Sequence, residues 1–359
     1  MTYFRDNVEK AAGYTPGFQP KAMDVVKLNT NENPYPPSPL VLKALAEIKP
    51  EQLRRYPDPL ADTFRKAAAG VHGIRPENIM ACNGGDELLS MAVRAFCDEK
   101  RAVAYPVPTY SLYPVLAKLQ NCKAIEIPFN DDFSLPAGLE KTGAALTIVC
   151  NPNAPSGSFI KPARLAELAK KITVRQAHRP ERSRRKGVLL IDEAYIDFAE
   201  ENCLKLINDF DNCIILRSLS KGYSLAGIRF GYAVANKNLI AGLMKLKDSY
   251  NVDGVAIAVA TAAIKDQTYF RENVEKIKRD RQVLTGQLRS LGFVVPDSSS
   301  NFVFAEGKTA GFIYEKLVQR NIYVRYWKQP GIENKLRISV GSAEQNEKLI
   351  SAIKEILAQ

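Results

Sequence analysis

Histidine is nearly missing from this chain: 359 residues contain two, His72 and His178. No Cys and His residues cluster at ligand spacing, so neither a zinc site nor other transition-metal chemistry is expected. The six cysteines, Cys82, Cys97, Cys122, Cys150, Cys203 and Cys213, form no C-x-x-C pair. Cys150 and Cys213 lie inside apolar runs, which reads as reduced core thiols and not a disulfide framework. Long apolar runs are missing too. The longest, Val255 to Ile264, falls well short of the roughly 18 residues that a membrane span needs, and the opening MTYFRDNVEKAAGY has no apolar signal region. We therefore expect a soluble, cytoplasmic protein with no membrane partner. Repeats, low-complexity tracts and Gly- or Ser-rich linkers are also absent from the sequence, which argues against solenoids and tethered modules.

What is present is ordinary globular composition, 46% hydrophobic and 25% charged, at a length that suggests about two domains. The net charge of +11 is concentrated in one place: residues 171–186, KITVRQAHRPERSRRK, hold seven Lys and Arg against one Glu. An Arg-rich solvated loop accounts for such a stretch better than a phosphate-binding patch does, and no nucleic-acid partner is expected.

Helical and strand patterns alternate through the first two thirds, which predicts an α/β fold with a mostly parallel sheet flanked by helices. Thr147–Cys150, Val188–Ile191 and Cys213–Leu216 are short apolar runs of the kind found in buried strands. Pro162–Lys171 reads as an amphipathic helix, and Ser38-Pro39 as a capped helix start. After Gly254 the texture changes to a long charged helix (266–291), short strands from Ser300 and Leu336, and a final helix. The expected division is an arm at 1–35 serving the small domain and a dimer contact, a large domain at 36–254, and a small α+β domain at 255–359.

Several motifs fall at strand ends. In SLSKGYSLAGIRFGY, Lys221 follows a buried strand, at the mouth of the sheet where such folds bind ligands. Partial burial there can strip its proton and make it a Schiff-base amine. Ser218, Ser220 and Arg229 would suit a phosphate monoester. Taken alone, a lysine between serines is more often a surface loop residue. Asp192 ends the VLLID strand, where a carboxylate can keep a pyridine nitrogen protonated or merely cap a turn; Tyr195 follows. Gly85, Asp86 and Glu87 open a helix whose N–H groups can cradle a phosphate, although Gly-Gly turns are common in α/β proteins. NPNAPSG after the TIVC strand is a Pro-locked turn, and Tyr110 of PTYSLYP could lie flat on an aromatic cofactor or simply pack.

With these motifs in this order, the sequence resembles the fold type I pyridoxal-phosphate aminotransferases, and within them the histidinol-phosphate aminotransferases. The resemblance runs from NTNENPYPPSP and RYPDP to LRISVGS. It implies pyridoxal 5'-phosphate as cofactor and Lys221 as the residue that carries it and shuttles the proton. It further implies Asp192 on the pyridine nitrogen, Tyr195 on the ring hydroxyl and Tyr110 stacked on the ring. The phosphate would rest on Gly85 and Asp86, with Ser218, Ser220, Arg229 and, from the neighbouring subunit of a homodimer, Tyr56. Arg337 would bind the carboxylate of glutamate or 2-oxoglutarate, and would share the phosphate of histidinol phosphate with Arg325, Tyr14 and Asn31. The implied activity is transamination between these compounds in histidine biosynthesis.

Two departures from the family stand out. The asparagine usual before Pro-Ser-Gly is Ala154, so Asn153 or Asn151 would take over its bond, Asn153 being the assigned candidate, or Tyr195 would hold the ring hydroxyl alone. The second is the Arg-rich insert, expected at the sheet edge opposite the site and neutral for catalysis. An aromatic amino acid aminotransferase and a threonine-phosphate decarboxylase are the competitors within the fold. A regulatory protein on the same scaffold is the alternative of another class.

Overall fold

The computed structural model describes residues 3–21, 24–172 and 187–359. The chain begins with a turn of helix α1 (Asp6–Glu9) and strand β1 (Val26–Leu28), then α2 (Pro39–Ala46), α3 (Pro50–Arg54) and α4 (Asp62–His72). The alternating region follows: β2 (Ile79–Cys82), α5 (Gly84–Phe96), β3 (Val103–Val107), α6 (Leu112–Leu119), β4 (Ala124–Pro128), β5 (Leu146–Cys150), α7 (Pro162–Lys171), β6 (Val188–Asp192), α8 (Leu206–Asp209), β7 (Cys213–Ser218), β8 (Gly231–Ala235) and α9 (Lys237–Leu243). The remainder is α10 (Gly254–Lys265), α11 (Gln267–Ser290), β9 (Phe302–Glu306), α12 (Ala310–Gln319), β10 (Ile322–Tyr326), β11 (Lys335–Ser339) and α13 (Ala343–Leu357). The expected buried strands, the Pro162 helix and the capped start at Ser38, whose hydroxyl accepts from the Leu40 N–H, are all present.

Seven strands form the main sheet in the order β2-β8-β7-β6-β5-β3-β4. β8 runs antiparallel to both its neighbours, and the other pairings are parallel. Its strands are buried on both faces, and the period-2 alternation sorts their side chains between two cores. Leu189, Ile191, Cys213 and Ile215 pack into the layer that includes residues of α4, α7 and α10; Leu190, Ile214 and Leu216 pack into the layer of α5, α6 and α9. Because β3 connects to β4 on one side and lies beside β5 on the other, the connections diverge there. That is the switch point at which open α/β sheets bind ligands, outside the carboxyl ends of the strands.

A second sheet, β1-β10-β11-β9, carries a separate core with α11, α12 and α13. Its edge strand β1 comes from the beginning of the chain and pairs in parallel with β10. The change from one core to the other falls later than the sequence suggested. Helix α10 packs Ala256, Val259 and Ala260 into the main-sheet core, so the small core begins with α11, capped by the Asp266 side chain on the Tyr269 N–H. An apolar surface on most sides of α10 is what a helix buried between α2, α4 and the sheet requires.

All six cysteines are buried. The Arg-rich insert lies outside the described residues from 173 to 186; its flanks, Ile172 and Gly187, are at the N-terminal end of β6, and the strand's other end is Asp192. No helix among the described residues is long and apolar enough to cross a membrane.

Leu190 lies in the middle of β6 with no exposed surface. Leu190→Ala should lower unfolding free energy by about 2–5 kcal/mol through lost transfer energy and the cavity left behind. Denaturant titration of the cofactor-free protein reads this directly, and a loss under about 1 kcal/mol would mean that the central sheet is less tightly packed than described.

Candidate active site

A cavity of about 680 Å³ opens at the carboxyl ends of β3, β5, β6 and β7 and is closed on its far side by β10, β11 and the segment that contains Thr30. Lys221, three residues past β7, enters it from below. Its Nζ donates to the Thr30 carbonyl at 3.3 Å and lies 5.8 Å from the centre of the Tyr195 ring. Burial pulls its pKa down to about 8; the Glu32 carboxylate resists, and Arg337 and Arg229 act with the burial. A sizeable fraction of neutral amine therefore exists near physiological pH. The turn itself is held by Asn33, whose Nδ2 donates to the carbonyls of Lys221, at 2.9 Å, and of Gly222.

Asp192 forms the floor. Its Oδ2 accepts from the Tyr113 hydroxyl at 2.7 Å and its Oδ1 from the Ala194 N–H at 3.1 Å. Burial raises its pKa to about 6 against those two hydrogen bonds. Among the described residues no cationic side chain lies within ion-pair range of it. A buried carboxylate without a cation is costly, and a protonated pyridine nitrogen is a cation of the right size and direction. This observation shows that the residues present fit pyridoxal phosphate.

The phosphate end is a backbone device. Gly84 takes a left-handed conformation (φ 76°) at the start of α5, where a Cβ would stand 2.8 Å from Arg229 Nη2. Gly231 of β8 packs so tightly that a Cβ would meet Gly84 C at 2.9 Å and Gly85 N at 3.0 Å. These close approaches account for the glycines of the GGD and RFGY motifs. Gly85, Asp86, Ser218, Ser220 and Arg229 all line this end. Ser218 Oγ accepts the Ser220 N–H at 3.1 Å, and Arg229 sits 3.5 Å from the Asp86 carboxylate in a half-exposed pair.

Above the floor, Tyr110 donates to Asp86 at 3.2 Å and meets Tyr14 and Tyr113 edge-on at 5.8 and 5.7 Å. The Tyr195 hydroxyl accepts from Asn31 Nδ2 at 3.0 Å, and burial raises its pKa to about 12. Asn31 has a left-handed backbone (φ 57°) and is tied to Ser339 and Asn301, so the small domain reaches Tyr195 through it. Arg325 and Arg337 come from facing positions of β10 and β11; Arg337 Nη2 donates to the Asn29 carbonyl at 2.9 Å.

Thirteen of the fifteen residues named from the sequence line this cavity; Asn153 and Tyr56 do not. Asn153 is fully committed elsewhere, accepting from Thr109 Oγ1 and donating to the Pro108 carbonyl and to Ser156 Oγ. Asn151 brackets the backbone of Ile160 in the same way. Ala154 and Pro155 form the wall instead, which leaves Tyr195 as the hydroxyl available there. Tyr56 is 81% exposed and stacks on Tyr250 with ring centres 4.4 Å apart. Sequence reasoning missed Tyr113, which lies in the first turn of α6 while Tyr110 precedes that helix, and missed Asn33 and Trp327.

Fold and site together define the fold type I class of pyridoxal-phosphate-dependent enzymes. The profile of the family "Aminotransferase class I and II" matches residues 23–353, and the chain belongs to that family. It is 47% identical over 360 residues to a histidinol-phosphate aminotransferase of Trichormus variabilis, with 99% of each chain covered. It is 43% identical to one of Citrifermentans bemidjiense, again with 99% of each covered. A crystal structure of histidinol-phosphate aminotransferase from Sinorhizobium meliloti in complex with pyridoxal-5'-phosphate superposes with a TM-score of 0.88 at 25% identity, covering 100% of this chain and 98% of that one.

Because Asp192 titrates near 6 in the folded state and near 3.8 in the ordinary case, its ionisation destabilises the cofactor-free protein above pH 6, and the cost fades as pH falls toward 3.8. Asp192→Asn should therefore stabilise that form at pH 8, by at most about 3 kcal/mol, with a smaller gain at pH 5. Paired thermal melts at the two pH values test this, and a gain that grows on acidification would refute the unpaired carboxylate.

Proposed function

We propose that this chain is a histidinol-phosphate aminotransferase that moves the amino group of L-histidinol phosphate to 2-oxoglutarate, forming imidazole acetol phosphate and glutamate in histidine biosynthesis. The observation that carries the reading is the presence of two guanidiniums without a carboxylate partner among the described residues, Arg325 and Arg337, in the cavity of a lysine tuned to about 8. The histidinol-phosphate aminotransferases matched over nearly their whole length support it.

In this reading Asp192 pairs with the pyridine nitrogen of the cofactor, Tyr195 donates to the ring hydroxyl, and Tyr110 covers the ring. Gly85, Asp86, Ser218, Ser220 and Arg229 hold the phosphate. When bound, pyridoxal phosphate supplies an electron sink for the pair released at the substrate carbon. Lys221 Nζ, whose proton burial loosens, would accept the proton from that carbon and return it one position away. Asn33 holds the backbone turn that presents Lys221 to the cavity. Arg337 meets the carboxylate of glutamate in one half-reaction and, with Arg325, the phosphate in the other, since a guanidinium fork suits both anions. Tyr14 and Asn31 complete the wall near that phosphate.

We also propose a cytoplasmic homodimer. A reducing compartment suits six buried thiols. Leu40, Leu42, Leu45, Leu53, Tyr56 and Leu60 are all exposed on α2, α3 and the following turn, and exposed apolar side chains of this kind suit an interface between copies. Covering it with a second copy would bring Tyr56 to the neighbouring phosphate site.

Single-turnover reaction of the holoenzyme tests the substrate. Histidinol phosphate should discharge the absorbance of the lysine-bound cofactor far faster than phenylalanine, and phosphothreonine should lose no carbon dioxide. A preference for phenylalanine, or decarboxylation, would overturn the substrate reading, and Lys221→Ala should abolish the absorbance band itself. For the dimer, mixing inactive Lys221→Ala chains with weakly active Tyr56→Ala chains should restore activity, because one hybrid site holds both native residues. Failure of the mixture to exceed its components, with hybrids shown to form, would put Tyr56 outside the neighbouring site.

A further inference from the structure

Trp327 is the only tryptophan of the chain, and no step above uses it. It lies just past β10, half-buried, on the cavity wall. Its ring centre is 5.2 Å from Arg325 Cζ and 5.4 Å from Arg337 Cζ; Arg337 also lies 5.3 Å over Phe302. The two arginines occupy directly facing positions of antiparallel strands, where like charges repel. The repulsion is felt: burial first, and then Arg325, hold Arg337 below its usual pKa.

Proteins usually quiet such a pair with a carboxylate. Among the described residues neither arginine has one within ion-pair range, and Arg337 Nε is buried without any hydrogen-bond partner. A carboxylate would occupy the N–H donors and repel an incoming anion. An aromatic face attracts cations through its quadrupole and takes no donor.

We propose that Trp327 is a specificity-determining residue whose ring holds Arg325 and Arg337 together as an open double cation, favouring a doubly charged phosphate monoester over a singly charged carboxylate. The inference rests on the substrate reading above and adds the residue that sets the preference. Its two parts respond differently to loss of the ring. Arg337 keeps the Asn29 carbonyl and Phe302, enough to meet a carboxylate. Among the described residues Arg325 makes no hydrogen bond or ion pair, so the second half of the phosphate grip goes with the tryptophan.

Steady-state kinetics of the holoenzyme on wild type, Trp327→Phe and Trp327→Leu give the first test. Trp327→Leu should raise KM for histidinol phosphate about tenfold, with KM for 2-oxoglutarate and kcat changed by no more than about threefold, and Trp327→Phe should stay near wild type. An equal rise for both substrates would mean plain packing, and no rise for the phosphate substrate would mean that the ring is idle; either overturns the proposal. The second readout needs no turnover. Inorganic phosphate titrated into the wild-type protein should change the emission of the single tryptophan saturably, and Arg325→Ala should weaken that response more than it weakens the response to acetate. Emission that ignores phosphate would also overturn the proposal. If the wild type does not turn over histidinol phosphate but its emission answers phosphate in this way, the substrate reading falls and the clamp stands.

Discussion

The site depends on a charge cluster that never touches it. Arg217, near the end of β7, is buried with Nη1 at 3.2 Å from Glu193 and Nη2 at 3.0 Å from Asp197. Glu193 follows Asp192, Asp197 follows Tyr195, and Arg217 precedes Ser218, so one guanidinium ties together the turns that present the floor, the ring hydroxyl and the lysine. Gly222 belongs to the same knot, since a Cβ there would run into Asp197. Burial raises both carboxylates, Arg217 opposes it, and the pair in turn raises the arginine. Removing one member would strand buried charge, at a cost of about 3–5 kcal/mol. His72 lies behind, bonded to Tyr232 at 2.7 Å and held neutral, with a pKa near 3, by burial and by Arg217.

The cavity in front has the opposite character. Lys221, Arg229, Arg325 and Arg337 face it against the acids Asp86, Glu126 and Asp192 of its lining, and Glu32 is the carboxylate that acts most on Lys221. Glu32 is itself engaged by Lys27 and Thr30. A cationic pocket in low-dielectric walls concentrates anions and at the same time eases the proton off Lys221. Burial does most of the work on the amine, and the arginines that attract the substrate add to it.

Much of this was legible in the sequence, for reasons that can be named. Strands β5, β6 and β7 announce themselves as apolar runs because they are buried on both faces, and the residue just past each run is where the sheet meets its ligand. Position marks Lys221 and Asp192 as candidates once the strands are found, and the order of the surrounding motifs with the family resemblance supplies their roles. The commitment of Asn153 was not legible, because its amide is taken up by Thr109 and Pro108 of a distant loop as well as by Ser156 of its own turn, pairings that leave no trace in spacing. Tyr113 was passed over for Tyr110: Tyr110 stands in the turn before α6 and bonds Asp86, while Tyr113, inside the helix, bonds the Asp192 floor. The late boundary at α11 has a legible cause, since an apolar run such as Val255–Ile264 belongs to whichever core can surround it. Trp327 carries no motif; only the pairing of β10 with β11 brings two arginines to its face.

The parallel pairing of β1 with β10 joins Val26 to Ile322, and that join has a consequence for how the protein is made. The segment that follows β1 carries Asn31 and Asn33, which steady Tyr195 and the lysine turn. On the ribosome the main sheet can close while this segment still lacks its strand partner, which emerges about 300 residues later. Catalytic competence therefore waits on β10 and β11, and a nascent chain that already holds its lysine and its floor cannot yet grip a substrate.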